Sequence, residues 1–155
     1  MPLVRHYMPR TRLCTGRLAK RMSSTQHQHL LRYKQMMLRC GIDTIEISRI
    51  QEGIQKFGER FLRRFFTDGE RADCADMPSR LAARFACKEA VAKALGTGIG
   101  DVRWVDIEIR NSENGRPILN LYGEAIRLSH ELGITQWDVS LTHTKELATA
   151  MAVAL

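Results

Sequence analysis

A chain of 155 residues with 44% hydrophobic content is long enough for one domain with a real core, and no apolar run approaches the roughly 18 residues of a membrane-spanning helix, which excludes such a span. The formal charge of +7 suggests nucleic-acid binding until it is divided along the chain. Residues 1–39 carry nine Lys or Arg and no acid, leaving 15 basic residues against 17 acidic ones, a net of −2, for the remainder, so the body is not expected to bind nucleic acid.

Residues 1–39 read as a basic arm, expected to be disordered and separate from a single folded domain at residues 40–155. Rich in Arg, with scattered Ser and Thr, the arm has the composition of an organelle transit peptide, while the apolar stretch of a secretory signal is missing. A flexible basic tail, or a start codon placed too early with Met36 or Met37 as the real beginning, ranks above the transit peptide. The cytoplasm is therefore the expected compartment, with an organelle matrix as the alternative. Cys14, Cys40, Cys74 and Cys87 include no close pair, which argues for reduced, mostly buried thiols over a zinc site or a disulfide framework. Lys88 and Arg84 could activate Cys87 as a nucleophile, but nothing supplies it with a paired base.

Cys40 to Ile47 reads as a strand rich in β-branched residues. Alternation places Ile42, Thr44 and Glu46 on one face and Asp43, Ile45 and Ile47 on the other, so Asp43 shares the more apolar face. Ser48 is the expected cap of a helix through Arg49, Ile50, Ile54 and Phe57, with Arg49 exposed near its start. Gly58 breaks that pattern, and Glu59 to Phe66 forms a short helix with Phe61, Leu62, Phe65 and Phe66 inward. Thr67-Asp68-Gly69-Glu70 matches a capping box that starts another short helix ending before Pro78.

The best-specified element is the helix from Ser79 to Leu95, rich in Ala, Leu, Lys, Arg and Glu and closed by Gly96. Leu81, Ala82, Phe85 and Ala92 share one arc that must face a core. Glu89 lies in or beside that arc, where an unpaired carboxylate is costly. The plain reading pairs it with Lys93, one turn on, for about 0.2–0.5 kcal/mol. The alternative gives Glu89 a hard cation, with Asp43 as a second acidic ligand, and sets Arg84, Lys88 and Lys93 around an anion. Gly96-Thr97-Gly98-Ile99-Gly100 follows a helix instead of preceding one, which suits a tight reversal better than a phosphate loop.

Two runs with strand periodicity follow: Trp104 to Arg110, then Pro117 to Leu121 beyond the hairpin signal Asn114-Gly115. A helix from about Gly123 to Leu132 stops at Gly133. Trp137 to Thr142 and Leu147 to Ala154 form a second hairpin. His143 sits in the turn between them with Lys145 beside it, placed to bind phosphate or shuttle a proton.

Four pieces in this order resemble holo-acyl-carrier-protein synthase, the small class of 4′-phosphopantetheinyl transferase: Gly41-Ile42-Asp43 with Glu46 and Arg49; Arg84 through Gly98; Asp106-Ile107-Glu108-Ile109 with Asn114-Gly115-Arg116-Pro117; and Ser140 through Glu146. The resemblance covers about residues 40–155. It implies an α+β domain with a mostly antiparallel sheet packed against a long central helix, assembled as a homotrimer with active sites at the subunit interfaces. The implied reaction moves 4′-phosphopantetheine from coenzyme A to a serine of apo-acyl carrier protein, with Mg2+, in fatty acid biosynthesis. Asp43 and Glu89 correspond to the family's magnesium ligands. Arg84, Lys93 and His143 correspond to positions around the coenzyme A phosphates, and Arg49 to the carrier-protein surface. Glu89, directly or through a metal-bound water, is the implied base, with Lys93 stabilising the developing charge. Arg63 and Arg64 join Arg49 as candidates for steering an acidic carrier, on charge alone. Two departures stand out: Cys87 where a smaller Ala or Ser is usual, and a shortened stretch from Thr67 to Arg84, whose usual basic residue only Arg80 could replace. Two other classes remain to be distinguished: a carrier-binding relative without catalysis, and a nucleic-acid-binding protein.

Overall fold

The computed structural model describes residues 37–98 and 100–155. Most of the basic arm, with Cys14, Met36 and the transit-like composition, lies outside the described residues, as does Ile99 of the glycine-rich reversal.

Strand β1 spans Arg39–Glu46, and three helices follow it: α1 at Ile47–Phe57, α2 at Glu59–Phe65 and α3 at Asp68–Cys74. The long helix α4 covers Pro78–Leu95. A short 3-10 turn, Trp104–Asp106, leads into the hairpin of β2, Ile107–Asn111, and β3, Pro117–Leu121. Helix α5, Gly123–Glu131, precedes β4, Trp137–His143, and β5, Leu147–Ala154. The main sheet has the antiparallel order β1-β5-β4, and β2 and β3 form a separate two-stranded sheet. An α+β domain built around one helix is therefore what the chain forms.

The main sheet and α4 meet through small residues. Ala148, Ala150, Ala152 and Ala154 of β5 and Ala82, Ala86, Ala90, Ala92 and Ala94 of α4 are all buried, and short side chains bring helix and sheet into close packing. At Gly41 the approach is closest: a Cβ there would lie 2.0 Å from the Ala90 carbonyl oxygen and 2.9 Å from the Ala94 nitrogen. Glycine at position 41 is thus required by space, since its φ is not in the left-handed region. The register pairs Gly41 with Ala152, Asp43 with Ala150 and Ile45 with Ala148, so Asp43 points to the helix side, as alternation predicts.

Three expectations are corrected. The single apolar arc of α4 is an understatement, because Ala83, Ala86, Cys87, Ala90, Val91, Ala94 and Leu95 are buried as well. The helix is covered on nearly every side, and alanines that read as neutral in a periodicity pattern become core when elements surround them. Ser48 is not a cap: α1 begins at Ile47, with Glu46 at the N-cap position and no side-chain cap bond, while the Ile47 amide donates to the Glu146 carbonyl at 2.8 Å. Trp104 to Asp106 turns before the strand starts, as Asp106 turns its carboxylate toward Gly123 at the start of α5. The capping box at Thr67 is present in full, with the Glu70 amide donating to the Thr67 hydroxyl and the Thr67 amide donating to the Glu70 carboxylate.

Candidate active site

Because β1 lies against the C-terminal half of α4, Asp43 faces the helix turn that carries Glu89 and Lys93. The Lys93 ammonium donates to Asp43 Oδ1 and to the Ile42 carbonyl, each at 2.8 Å. The plain i,i+4 pairing of Glu89 with Lys93 is therefore corrected, since the lysine spans to the sheet. Glu89 forms no hydrogen bond or ion pair among the described residues. Burial first, and then the Asp43 charge, push its carboxyl above the ordinary value of 4.5, with Lys93 pulling the other way. A partly buried carboxylate with no partner among the described residues, next to a second one, is an arrangement that can accept a cation. Among the described residues no third His, Cys, Asp or Glu joins the two. Two carboxylates leave room for water and phosphate oxygens, the arrangement magnesium favours.

The other sequence candidates are dispersed over the domain. Arg84 lies about 140° around α4 from Glu89 at 100° per residue. It is only 5% exposed, and its guanidinium donates to the Asn111 side chain at the end of β2. Its Nε is buried with no hydrogen-bond partner among the described residues, so those residues do not fully satisfy this cation. His143 ends β4 in register with Ala148, a correction to its expected place in the turn. It is exposed, with Nδ1 3.3 Å from the Thr144 carbonyl. Strand spacing puts its Cα about 12 Å from that of Asp43, two strands away on the same sheet face. Arg49 is exposed on the first turn of α1.

Lys88 is not one of the cations around an anion. It is fully buried, paired with the equally buried Glu70 at 2.8 Å, and it donates to the carbonyls of Trp104 at 2.9 Å and Ile107 at 2.6 Å. Burial lowers its pKa while Glu70 acts to raise it. Glu70 also accepts from the Ile109 amide at 3.0 Å, so one carboxylate ties α3, α4 and β2 together. Next to it, Glu108 accepts from the Thr67 and Tyr122 hydroxyls at 2.6 and 2.9 Å. Cys87 is not a nucleophile: burial pushes its thiol up to about 12.

One feature that charge counting under-described is a groove of about 270 Å³ lined by Phe57, Arg60, Phe61, Arg64 and Phe65. Arg64 lies 5.5 Å over the Phe65 ring, whereas Arg63 pairs with Glu59 at 2.8 Å and is not among the residues that line the groove. The alternating Arg and Phe at helical spacing carried the signal for Arg60.

A model of the 4′-phosphopantetheinyl transferase superfamily matches residues 39–152. A holo-acyl-carrier-protein synthase from Herpetosiphon aurantiacus is 44% identical over 126 residues, covering 77% of this chain and 99% of the relative. One from Dehalococcoides mccartyi is 48% identical over 118 residues, covering 76% and 98%. The crystal structure of Helicobacter pylori holo-acyl-carrier-protein synthase in complex with coenzyme A superposes with a TM-score of 0.69 at 33% identity, over 75% of this chain and 99% of that one.

Proposed function

The chain belongs to the 4′-phosphopantetheinyl transferase superfamily, a family of enzymes, and from that premise we propose that it transfers 4′-phosphopantetheine from coenzyme A to a serine hydroxyl of apo-acyl carrier protein, with magnesium, to supply fatty acid biosynthesis. The observation that carries this reading is the meeting of Asp43, Glu89 and Lys93 across the contact of β1 with α4. Asp43 and Glu89 would hold the magnesium, which when bound supplies charge neutralisation at the pyrophosphate oxygens. Glu89 accepts the serine hydroxyl proton, a task its raised pKa suits. Lys93 stabilises the negative charge that develops on the leaving bisphosphate.

Arg84 and His143 are assigned to the coenzyme A phosphates of a site completed by a neighbouring copy. The Arg84 Nε, without a partner among the described residues, and the place of Arg84 about 140° around α4 from Glu89 support a site shared between subunits. Self-association as a homotrimer is further supported by the outer face of the main sheet, where Ile42 is 61% exposed and pairs across the strands with the exposed Met151. An apolar sheet face of this kind is normally covered. Arg49, with Arg60 and Arg64 at the rim of the aromatic groove, offers an acidic carrier both charge and apolar surface. The proposed compartment is the cytoplasm, in keeping with the free thiols of Cys40, Cys74 and Cys87. The domain proposed to carry all of this is residues 40–155, with residues 1–39 as an appended arm.

Intact-mass spectrometry of apo-carrier protein incubated with coenzyme A, Mg2+ and the enzyme tests the reading. A mass gain of one phosphopantetheine group is expected, and Glu89→Gln abolishes it while leaving the circular dichroism spectrum unchanged. A native enzyme that leaves the carrier mass unaltered refutes the assignment.

A further inference from the structure

Lys93 makes a choice that helix geometry alone does not explain. Its i,i+4 neighbour Glu89 is within ordinary reach on the same helix face, yet the ammonium crosses to β1 and binds Asp43 Oδ1 and the Ile42 carbonyl. The cluster then holds two carboxylates and one ammonium, with Glu89 left without a partner among the described residues. A divalent ion held by both carboxylates would take an oxygen of Asp43 as a ligand. The ammonium already occupies one of those oxygens at 2.8 Å. A divalent ion and an ammonium on adjacent lone pairs of one carboxylate would repel each other across a few ångströms.

We propose that Lys93 competes with the divalent cation for Asp43 and is exchanged for it, so that metal loading releases its ammonium to the phosphates. This rests on the assignment of Asp43 and Glu89 as the metal-holding pair. The side chain is suited to such an exchange, being a point charge on a flexible four-carbon stem and partly exposed. The freed ammonium would stay one turn from Glu89 on the same helix, within reach of an anion bound there. Metal binding and anion binding are thereby coupled through one residue, and the coupling is reciprocal. Without a metal, Lys93 is engaged by the protein and is a poor anion ligand. With a metal on Asp43, only the Ile42 carbonyl would still hold it.

The experiment uses the full-length chain without coenzyme A. Mn2+ is titrated and followed by electron paramagnetic resonance for the native protein, Lys93→Met and Asp43→Asn, and the 15Nζ resonance of Lys93 is followed in the native protein as Mg2+ is added. The expected results are about two- to fivefold tighter Mn2+ binding by Lys93→Met, weakened binding by Asp43→Asn, and a shift of the Lys93 resonance that saturates with Mg2+. A Lys93 resonance unmoved at saturating Mg2+, or Lys93→Met binding Mn2+ no more tightly than the native protein, overturns the exchange while leaving the metal pair in place. Tighter binding by Lys93→Met with an unmoved resonance would reflect loss of charge alone and also overturns it. Native binding that Asp43→Asn does not weaken, or no binding at all, overturns the metal assignment and the exchange together.

Discussion

Gly41→Ala is the sharpest test of how the fold sets the site. The added Cβ would stand 2.0 Å from the Ala90 carbonyl oxygen and 3.0 Å from its carbon, both backbone atoms of α4 that no rotamer change can move. Ordinary contact begins near 3.4 Å, so strand and helix must part by about 1.4 Å, a gap that forfeits much of the dispersion energy along the contact. Overpacking costs about 1–3 kcal/mol, and a clash between two backbones belongs at the upper end, about 3 kcal/mol. For a body of this size that corresponds to a melting temperature lower by roughly 10 °C. The same displacement carries Asp43, two residues along the same strand face, away from Glu89 and Lys93, so transfer activity should fall well beyond what partial unfolding explains. Urea unfolding and the carrier mass assay, run at a temperature where the variant is folded, measure the two effects separately. A variant with native stability and native activity would refute both the close packing and its role in setting the site.

Breaking the buried Lys88–Glu70 pair from one side, as in Glu70→Ala, should cost about 3–5 kcal/mol because it leaves an uncompensated ammonium among apolar side chains, measured by chemical denaturation. Glu89→Gln should raise the melting temperature in metal-free buffer. A carboxyl whose folded pKa lies above its unfolded value near 4.5 favours the folded state below that value and loses the contribution as pH rises through the folded value. The gain from Glu89→Gln should therefore appear at neutral pH and vanish under acid. Alkylation of the folded protein near pH 8 should label Cys40 and spare Cys74 and Cys87, both buried with thiols raised by burial, as read by peptide mapping. Charge reversal at Arg60 or Arg64 should raise KM for the carrier several-fold and leave that for coenzyme A unchanged, with an effect that shrinks as salt rises.

The elements were legible wherever local chemistry decides. The Thr67 capping box, the Gly58 break, the Asn114-Gly115 turn with Gly115 at φ 81 and the inward placement of Asp43 all depend on neighbours within a few residues. What the sequence concealed depends on what is packed around an element. Lys88 and Lys93 are the same residue type on one helix, five positions apart, and nothing local says that the first is sealed against Glu70 while the second reaches the sheet. The alanines of α4 look neutral in a helical pattern and turn out to be core because other elements cover the helix. Asp43 and Glu89 could be named from the resemblance, but their meeting depends on Gly41, whose need to be glycine shows only once the Ala90 carbonyl is seen across from it.

Arg84 and Glu89 leave α4 on different sides, so a copy damaged at one of them keeps the other intact. In the proposed shared-site assembly, two inactive proteins, Arg84→Ala and Glu89→Gln, should therefore complement each other when dissociated and reassembled together. About a quarter of the junctions in a random mixture would draw a sound arginine from one copy and a sound glutamate from its neighbour. In such an assembly a copy defective at one of the two residues would silence only the junction to which it supplies that residue, so activity in a mixed population would fall in proportion to the defective copies and not faster.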